Sequence, residues 1–161
     1  MAHLLEARDL VRTYQVRRGL FGTPTPVRAV DGVSLTVRSG ETVGIVGESG
    51  SGKSTLGRML LGIDAPQGGD VVFEGEAMPE FGTPQWRALR ARMQLVYQDP
   101  LAALDRRLTI APQIGEPLDI HKIIPKEHRA ARVAELMAAV GLRPDQGGRY
   151  PHELSGGQRQ R

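Results

Sequence analysis

The stretch Gly-Glu-Ser-Gly-Ser-Gly-Lys-Ser-Thr occupies residues 47–55 and matches the pattern G-x-x-x-x-G-K-[ST] at every fixed position. Before it, residues 41–47 form a short apolar, β-branched run that predicts a buried parallel strand. After it, residues 55–61 predict a helix. Strand, glycine loop and helix are the context in which this pattern holds phosphates, so the sequence predicts a nucleoside triphosphate site.

Each part of the loop has a chemical role in that interpretation. Its glycines allow a tight backbone, so that N–H groups face an anion at the positive end of the helix dipole. Lys53 adds a mobile cation for the β- and γ-phosphates, and Ser54 offers a hydroxyl to Mg²⁺. The predicted nucleotide-binding residues of the loop are Gly47, Glu48, Ser49, Gly50, Ser51, Gly52, Lys53, Ser54 and Thr55.

A second motif, Leu-Ser-Gly-Gly-Gln, stands at residues 154–158. Together with the phosphate loop, it resembles the ATP-binding subunits of ABC transporters, whose signature loop has this sequence. The resemblance implies that Leu154, Ser155, Gly156, Gly157 and Gln158 address the γ-phosphate held by the opposite subunit of a dimer. Ser155 is also a candidate N-cap, because its hydroxyl suits the N–H groups two or three residues on.

Two further residues acquire roles from this resemblance. Gln98 follows an apolar segment and precedes a turn signal, and it matches the glutamine of the family's Q-loop, which senses Mg²⁺ and the attacking water. That loop links the catalytic core to a helical subdomain that touches the membrane partner. Tyr14 fits the aromatic residue that stacks on adenine; a half-buried tyrosine in a strand is the alternative.

The resemblance narrows to the subunits that power dipeptide and oligopeptide importers, and it extends over essentially the whole chain. It is carried by residues 29–35, by the loop region as far as Arg58, and by Arg-Tyr-Pro-His-Glu at residues 149–153. Residues 17–27 look like the insertion of those subunits in their first sheet. The chain departs from the pattern at residues 101–107, and this departure bears on the substrate rather than on the nucleotide chemistry.

The family's Walker B motif, an apolar run that ends in Asp and Glu, has no match in these residues. Asp70 precedes its apolar neighbours, Asp99 follows too short a run, and Asp64 lies in a turn. His152 stands before the signature and is not the family's switch histidine. Phosphoryl transfer needs a magnesium ligand and a water-orienting carboxylate. A protein that ends at Arg161 is therefore expected to lack appreciable ATP hydrolysis, whereas the full-length family member is an ATPase.

Composition is compatible with a single domain in a reducing compartment. The 161 residues include no Cys, and the formal net charge is +3. The basic residues are scattered in pairs, which fit a solvated surface as well as an anionic partner. No nucleic-acid partner is expected. The first ten residues lack the apolar core of a signal peptide, and no apolar stretch approaches the ~20 residues of a membrane span. Any membrane association is expected to be peripheral, at the cytoplasmic face.

The predicted fold is α/β: a P-loop NTPase core of the ABC ATPase type, with an N-terminal antiparallel β region and an α-helical subdomain. The expected domain limits are 1–98 for the core and 99–161 for the helical subdomain. By the resemblance, the C-terminal part of the core is expected to be missing. Antiparallel strands are predicted near residues 4–14, 33–37 and 71–74, with a further strand at 93–97. Helices are predicted at 85–91 and 126–140, and Gly141 is expected to end the second of them. Its apolar stripe of Val133, Leu136, Met137 and Val140 is expected to be subdomain core.

The resemblance implies an importer subunit in which two copies, or two paralogues, sandwich two ATP molecules and drive integral membrane permease subunits. Peptides are the implied cargo, although nickel or another small solute also fits. Two alternatives remain open from the sequence. One is a non-transport ABC protein that acts on DNA or ribosomes, although neither heptad arms nor a second phosphate loop support it. The other is a truncated nucleotide-binding product without hydrolysis.

Overall fold

The computed structural model describes residues 3–17, 19 and 23–161. These residues form two compact units, the first extending to Met93 and the second running from Gln94 to Arg161. The domain limits expected from the sequence, 1–98 and 99–161, stay a prediction. No helix in the described ranges is long and apolar enough to cross a membrane.

The first unit is built on a four-stranded antiparallel sheet with the strand order β2-β1-β3-β4. This confirms the predicted antiparallel β region. Pairing of the two long strands reaches Arg17 and Pro24, while residues 18 and 20–22 of the predicted insertion lie outside the described residues. The strands are β1 (Leu5–Arg17), β2 (Pro24–Val37), β3 (Gly68–Phe73) and β4 (Glu76–Ala77).

The core of the first unit fixes the helix that follows the phosphate loop. Leu5, Ala7 and Leu10 of β1 are buried in one cluster with Leu56 and Met59 of α1 (Lys53–Leu60). Residues three apart in a regular strand point to opposite faces, but the register of β1 against β2 shifts between Ala7 and Leu10. The side chains of Ala7 and Leu10 therefore both lie in the core. The sheet therefore holds α1, and with it the loop that precedes α1.

A second helix of this unit, α2 (Pro84–Arg90), lies close to its predicted position. Thr83 caps it, because its hydroxyl accepts a hydrogen bond from the main-chain N–H of Trp86 at 3.2 Å. Pro84 stands at the start of the helix, where its missing N–H costs nothing. The indole N–H of Trp86 donates to the carbonyl of Gly62 at 2.7 Å, which ties α2 to the segment after α1.

Two predicted strands, at residues 41–47 and 93–97, do not form among the residues that the structure describes. Val46 is 96% exposed and Val96 is 82% exposed. A parallel strand is stable when neighbouring strands pair with its edges and helices cover both of its faces. Neither segment has such partners in the described residues. The apolar composition suggested a buried strand, but pairing depends on neighbours that local composition does not reveal.

The second unit consists of short helices around its own apolar cluster. The cluster joins Leu118 of α3 (Ile110–Ile120), Val133 and Met137 of α4 (Arg129–Ala139), and Leu142. The main-chain N–H of Ile110, at the start of α3, donates to the carbonyl of Arg149 at 3.0 Å, which links α3 to the segment before residue 154. The α-helices are α3 (Ile110–Ile120), α4 (Arg129–Ala139) and α5 (Gly156–Gln160), with 3₁₀ turns at Pro100–Ala102, Lys126–His128, Pro144–Gly148 and Pro151–Glu153.

The predicted stripe of α4 is only partly buried. Val133 and Met137 lie in the core, whereas Val140 is 40% exposed and caps the helix end instead of belonging to it. Gly141 follows with φ of 70°, the left-handed conformation that commonly ends a helix. The prediction that a glycine ends this helix is confirmed, and the prediction that Val140 belongs to the buried stripe is wrong.

Candidate functional site

The glycine loop is seated against strand β2. Between the pairs Arg12–Val30 and Thr13–Arg28 the register shifts, so Ala29 is the extra residue of a bulge. Gly52 has φ of 93°, and a Cβ atom placed on it would lie 2.0 Å from the carbonyl oxygen of Ala29. Only glycine allows both this conformation and this close approach. No pattern in the sequence indicates this contact, because a bulge in β2, more than twenty residues earlier in the chain, creates it.

Lys53 folds back over the loop that precedes it. Its ammonium group donates to the carbonyl oxygens of Gly47 at 2.8 Å and of Glu48 at 2.6 Å, and lies 3.5 Å from the Ser51 hydroxyl. The N–H of Ser51 donates to the carbonyl of Glu48 at 3.2 Å, which closes a turn inside the loop. A positive charge therefore stands within a curled backbone, and phosphate binding by this loop stays a prediction.

The first turn of α1 supplies the other polar groups of the loop region. Gly52, its N-cap residue, provides no side-chain hydrogen bond, so the first N–H groups of α1 are not capped by that residue. Ser54 is exposed, and its hydroxyl forms no hydrogen bond within the described part of the chain. A free hydroxyl next to the lysine suits one oxygen ligand of Mg²⁺. No group of three or more acidic, histidine or cysteine side chains among the described residues could hold a metal ion by itself.

A cavity of about 410 Å³ lies beside the loop in the first unit. One wall is the bulged part of β2, and the other is the loop with the start of α1. Main-chain groups of the loop, the Lys53 side chain and apolar side chains therefore surround the same cavity. The cavity is lined by Arg28, Ala29, Val30, Asp31, Val33, Ile45, Val46, Ser51, Gly52, Lys53 and Leu56.

Tyr14 lies in β1, paired with Val27 of β2, and is 36% exposed. The Arg12 guanidinium lies over its ring, 5.2 Å from the centroid, so one ring face is covered. Nearby, the pKa of Asp64 is lowered, above all by its hydrogen bonds from Arg58, while burial acts to raise it. The positive charges of Arg58 and Arg12 and a weaker hydrogen bond from Tyr14 also lower this pKa. The structure thus places Tyr14 in an ordered polar cluster, and adenine stacking stays a prediction.

Gln98 belongs to the second unit, in an exposed bend. Asp99 fixes the turn that follows, since its carboxylate accepts the N–H of Leu101 at 2.9 Å. The segment before Gln98 contributes Leu95, Val96 and Tyr97 to an apolar cavity of about 410 Å³ within this unit. The rest of it is lined by residues of α3 and α4, including Ile114 and Leu136, and by residues of the 154–161 segment, including Leu154 and Gln158.

The Leu-Ser-Gly-Gly-Gln motif forms the start of α5 and confirms Ser155 as an N-cap. The Ser155 hydroxyl accepts the N–H of Gln158 at 3.3 Å, and the Gln158 side-chain oxygen accepts the N–H of Ser155 at 2.9 Å. This reciprocal pair is a capping box. Leu154 is buried, whereas Ser155, Gly156 and Gly157 are exposed. The buried leucine anchors the motif and leaves its polar atoms and glycines at the surface.

Replacing Ser155 by alanine removes this cap, and we expect the Gln158 amide to exchange with solvent about fivefold faster, because a lost N-cap costs about 1 kcal/mol. Hydrogen exchange measured by nuclear magnetic resonance checks this. Ser155→Asp is the matched control, since a carboxylate can also accept the hydrogen bond. Equal exchange rates in the Ala and Asp variants would show that the cap does not hold α5.

Comparison with known proteins adds independent findings. The sequence model of the family described as ABC transporter matches residues 30–161. The chain is 48% identical over 159 residues to the glutathione import ATP-binding protein GsiA of Escherichia coli strain K12, and 47% identical to its counterpart in Shigella dysenteriae serotype 1. These alignments cover 98% of this chain and 26% of each relative, so the chain spans about a quarter of the length of these relatives.

Two solved structures resemble the fold. The dimeric ATP-binding cassette MJ0796, in a post-hydrolysis state bound to ADP and Pi, matches with a TM-score of 0.81 and 26% identity, covering 96% of this chain and 65% of that one. The cbiO1 protein of Clostridium perfringens, part of the ABC transporter complex cbiONQ, matches with a TM-score of 0.74 and 24% identity, covering 99% of this chain and 59% of that one. The second likeness concerns the fold alone.

Proposed function

The chain belongs to the ABC transporter family, and we propose that it is the nucleotide-binding part of an ABC importer subunit that binds ATP together with Mg²⁺. The observation that carries this proposal is the Lys53 ammonium group at the centre of the curled loop, held by the carbonyls of Gly47 and Glu48. In the complete subunit, ATP binding would close a dimer and hydrolysis would release it.

The loop residues have separate tasks in this proposal. The N–H groups of the loop and of the first turn of α1 bind phosphate oxygens, where the helix dipole favours negative charge. Lys53 exchanges its carbonyl partners for the β- and γ-phosphates, which are stronger acceptors because they are charged. Ser54 gives its hydroxyl to Mg²⁺, and Gln98 serves as the further polar group that senses the ion and the water. Magnesium would neutralise charge on the phosphates during transfer.

A dimer is proposed on two grounds, and the first is that Ser155 and both glycines of the Leu154–Gln158 motif are exposed at a helix start. The related cassette MJ0796 is dimeric in its ADP- and Pi-bound structure. We propose that the motif contacts the nucleotide held by a second ABC subunit, identical or paralogous. The two subunits would then share two ATP molecules across one interface.

The partners and cargo are proposed from the relatives and from one surface feature. We propose that the apolar cavity lined by residues 95–97, α3, α4 and the 154–161 segment is a docking place for integral membrane permease subunits, close in sequence to Gln98. Such partners would hold the chain peripherally at the cytoplasmic face of the membrane. The curated relatives are named for import of glutathione, a tripeptide, so we propose small peptides as the cargo.

Uptake measurements in cells test the proposed transport role. Cells without the gene are expected to lose energy-dependent uptake of labelled dipeptides, tripeptides or glutathione, and a plasmid copy should restore it. A copy with Lys53→Ala should not restore uptake, because the subunit could no longer bind ATP. Restoration by the Lys53→Ala copy, or a defect confined to nickel uptake, would contradict the peptide-import proposal.

A further inference from the structure

The segment at residues 64–67 takes the place of a strand beside Tyr14. Strand β3 pairs with β1 only as far as the pair Val11–Gly68. The main-chain N–H of Gln67, just before β3, donates to the carbonyl of Val11 at 2.9 Å. The part of β1 that carries Arg12, Thr13 and Tyr14 therefore lies beyond the end of β3 and next to this segment.

The side chain of Gln67 bonds both main-chain groups of Thr13. Its amide oxygen accepts the N–H of Thr13 at 2.7 Å, and its amide nitrogen donates to the carbonyl of Thr13 at 3.2 Å. A glutamine amide has one acceptor and two donor hydrogens, so it can replace a peptide unit of a neighbouring strand. The Gln67 amide thereby extends the hydrogen-bond ladder between β1 and β3 and restrains the backbone of Thr13, immediately before Tyr14.

The segment is itself anchored to the helix that follows the phosphate loop. The guanidinium of Arg58, on α1, donates two hydrogen bonds to the carboxylate of Asp64, at 2.8 and 3.0 Å. Arg12 donates to the carbonyl of Ala65 at 2.8 Å. Bidentate pairs of this kind are geometrically specific. One connected set of hydrogen bonds thus runs from α1 through residues 64–67 to β1.

We propose that Gln67 is a positioning residue for nucleobase binding: by fixing the main chain of Thr13, it holds the ring of Tyr14 ready to stack on the base. This inference rests on the proposed nucleotide-binding function. Arg12 covers one face of the ring, so the base stacks on the other face. Phosphate binding involves different residues, on the loop and α1, and does not depend on Gln67.

The test compares two ligands, MgATP and magnesium tripolyphosphate, in titrations of the full chain. Gln67→Ala is expected to weaken ATP binding about fivefold, the equivalent of one net hydrogen bond, and to leave tripolyphosphate binding unchanged. Gln67→Asn should behave in the same way, because its shorter amide cannot reach both groups of Thr13. Gln67 is exposed, so neither variant disturbs the core.

Gln113→Ala is the matched control. The Gln113 amide also bonds main-chain groups, at Asp105 and Leu108 of the second unit, but it is not connected to Tyr14. Its loss should leave both affinities unchanged. In a Tyr14→Ala background, where base stacking is already lost, Gln67→Ala should have no further effect on ATP binding.

Three results would overturn the inference. Equal losses for ATP and tripolyphosphate would show a structural role for Gln67, and a loss that persists in the Tyr14→Ala background would show a role independent of stacking. Unchanged ATP affinity in Gln67→Ala would show no role at all. If the unmodified chain bound neither ligand in a Lys53-dependent way, the proposed function itself would fail, and the inference with it.

Discussion

Lys53→Ala is expected to reduce the affinity for MgATP by about a hundredfold or more, because the loop loses the cation around which it is curled. Hydrogen bonds between charged groups contribute about 1.5–3 kcal/mol each, and loss of one or two of them corresponds to that factor. Isothermal titration with MgATP and with magnesium tripolyphosphate measures the effect. Both ligands should be affected alike, because Lys53 serves the phosphates rather than the base.

Lys126→Ala provides the control for this prediction. It removes the same formal charge from an exposed position in a 3₁₀ turn of the second unit. The ATP affinity should stay the same, since Lys126 is not part of the loop and an exposed surface charge is screened by salt. If both lysine variants bound ATP equally well, the loop would not be the phosphate site, and the proposed function would have to be given up.

Gly52→Ala is expected to destabilise the first unit by about 3–5 kcal/mol, within the range of severe single substitutions. The added Cβ atom would lie 2.0 Å from the carbonyl oxygen of Ala29, and this contact is with backbone that no side-chain rotation can relieve. Either the loop leaves β2 or the bulge at Ala29 collapses. In both cases ATP binding is lost together with stability. Urea unfolding followed by circular dichroism, with ATP titration of the remaining folded protein, measures both.

Gly50→Ala separates steric overlap from backbone strain. Gly50 has φ of 82°, close to that of Gly52, but no atom lies within 4 Å of a Cβ placed there. Its substitution should lower stability only by the cost of a left-handed alanine, about 1–2 kcal/mol. Similar stability losses in the two variants would mean that Gly52 is required for its conformation and that the contact with Ala29 is unimportant.

Predictions from local chemistry succeeded where short-range interactions form the structure. Ser155 and Gln158 stand three residues apart, so their capping box could be expected from the sequence and is observed. The end of α4 at Gly141 was also expected, because the left-handed conformation of a single glycine is a local property. In each case, the interacting groups are close in sequence or belong to one regular element.

Predictions failed where a segment depends on distant neighbours. Residues 41–47 have the composition of a buried strand, but no strand in the described residues pairs with them. Val140 has the spacing of a core position, but α4 ends before it and it remains exposed. The sequence also did not single out Gln67, because its bonds to Thr13 join residues that are far apart in the chain.

The sequence by itself determined the family, the phosphate loop and the signature cap, because each depends on residue types at fixed short spacings. Only the tertiary structure decided how these parts are held. It placed Gly52 against the bulge at Ala29 and connected Arg58, Asp64 and Gln67 to the backbone before Tyr14. Such contacts depend on how strands and helices pack, and packing brings together residues whose separation along the chain follows no pattern.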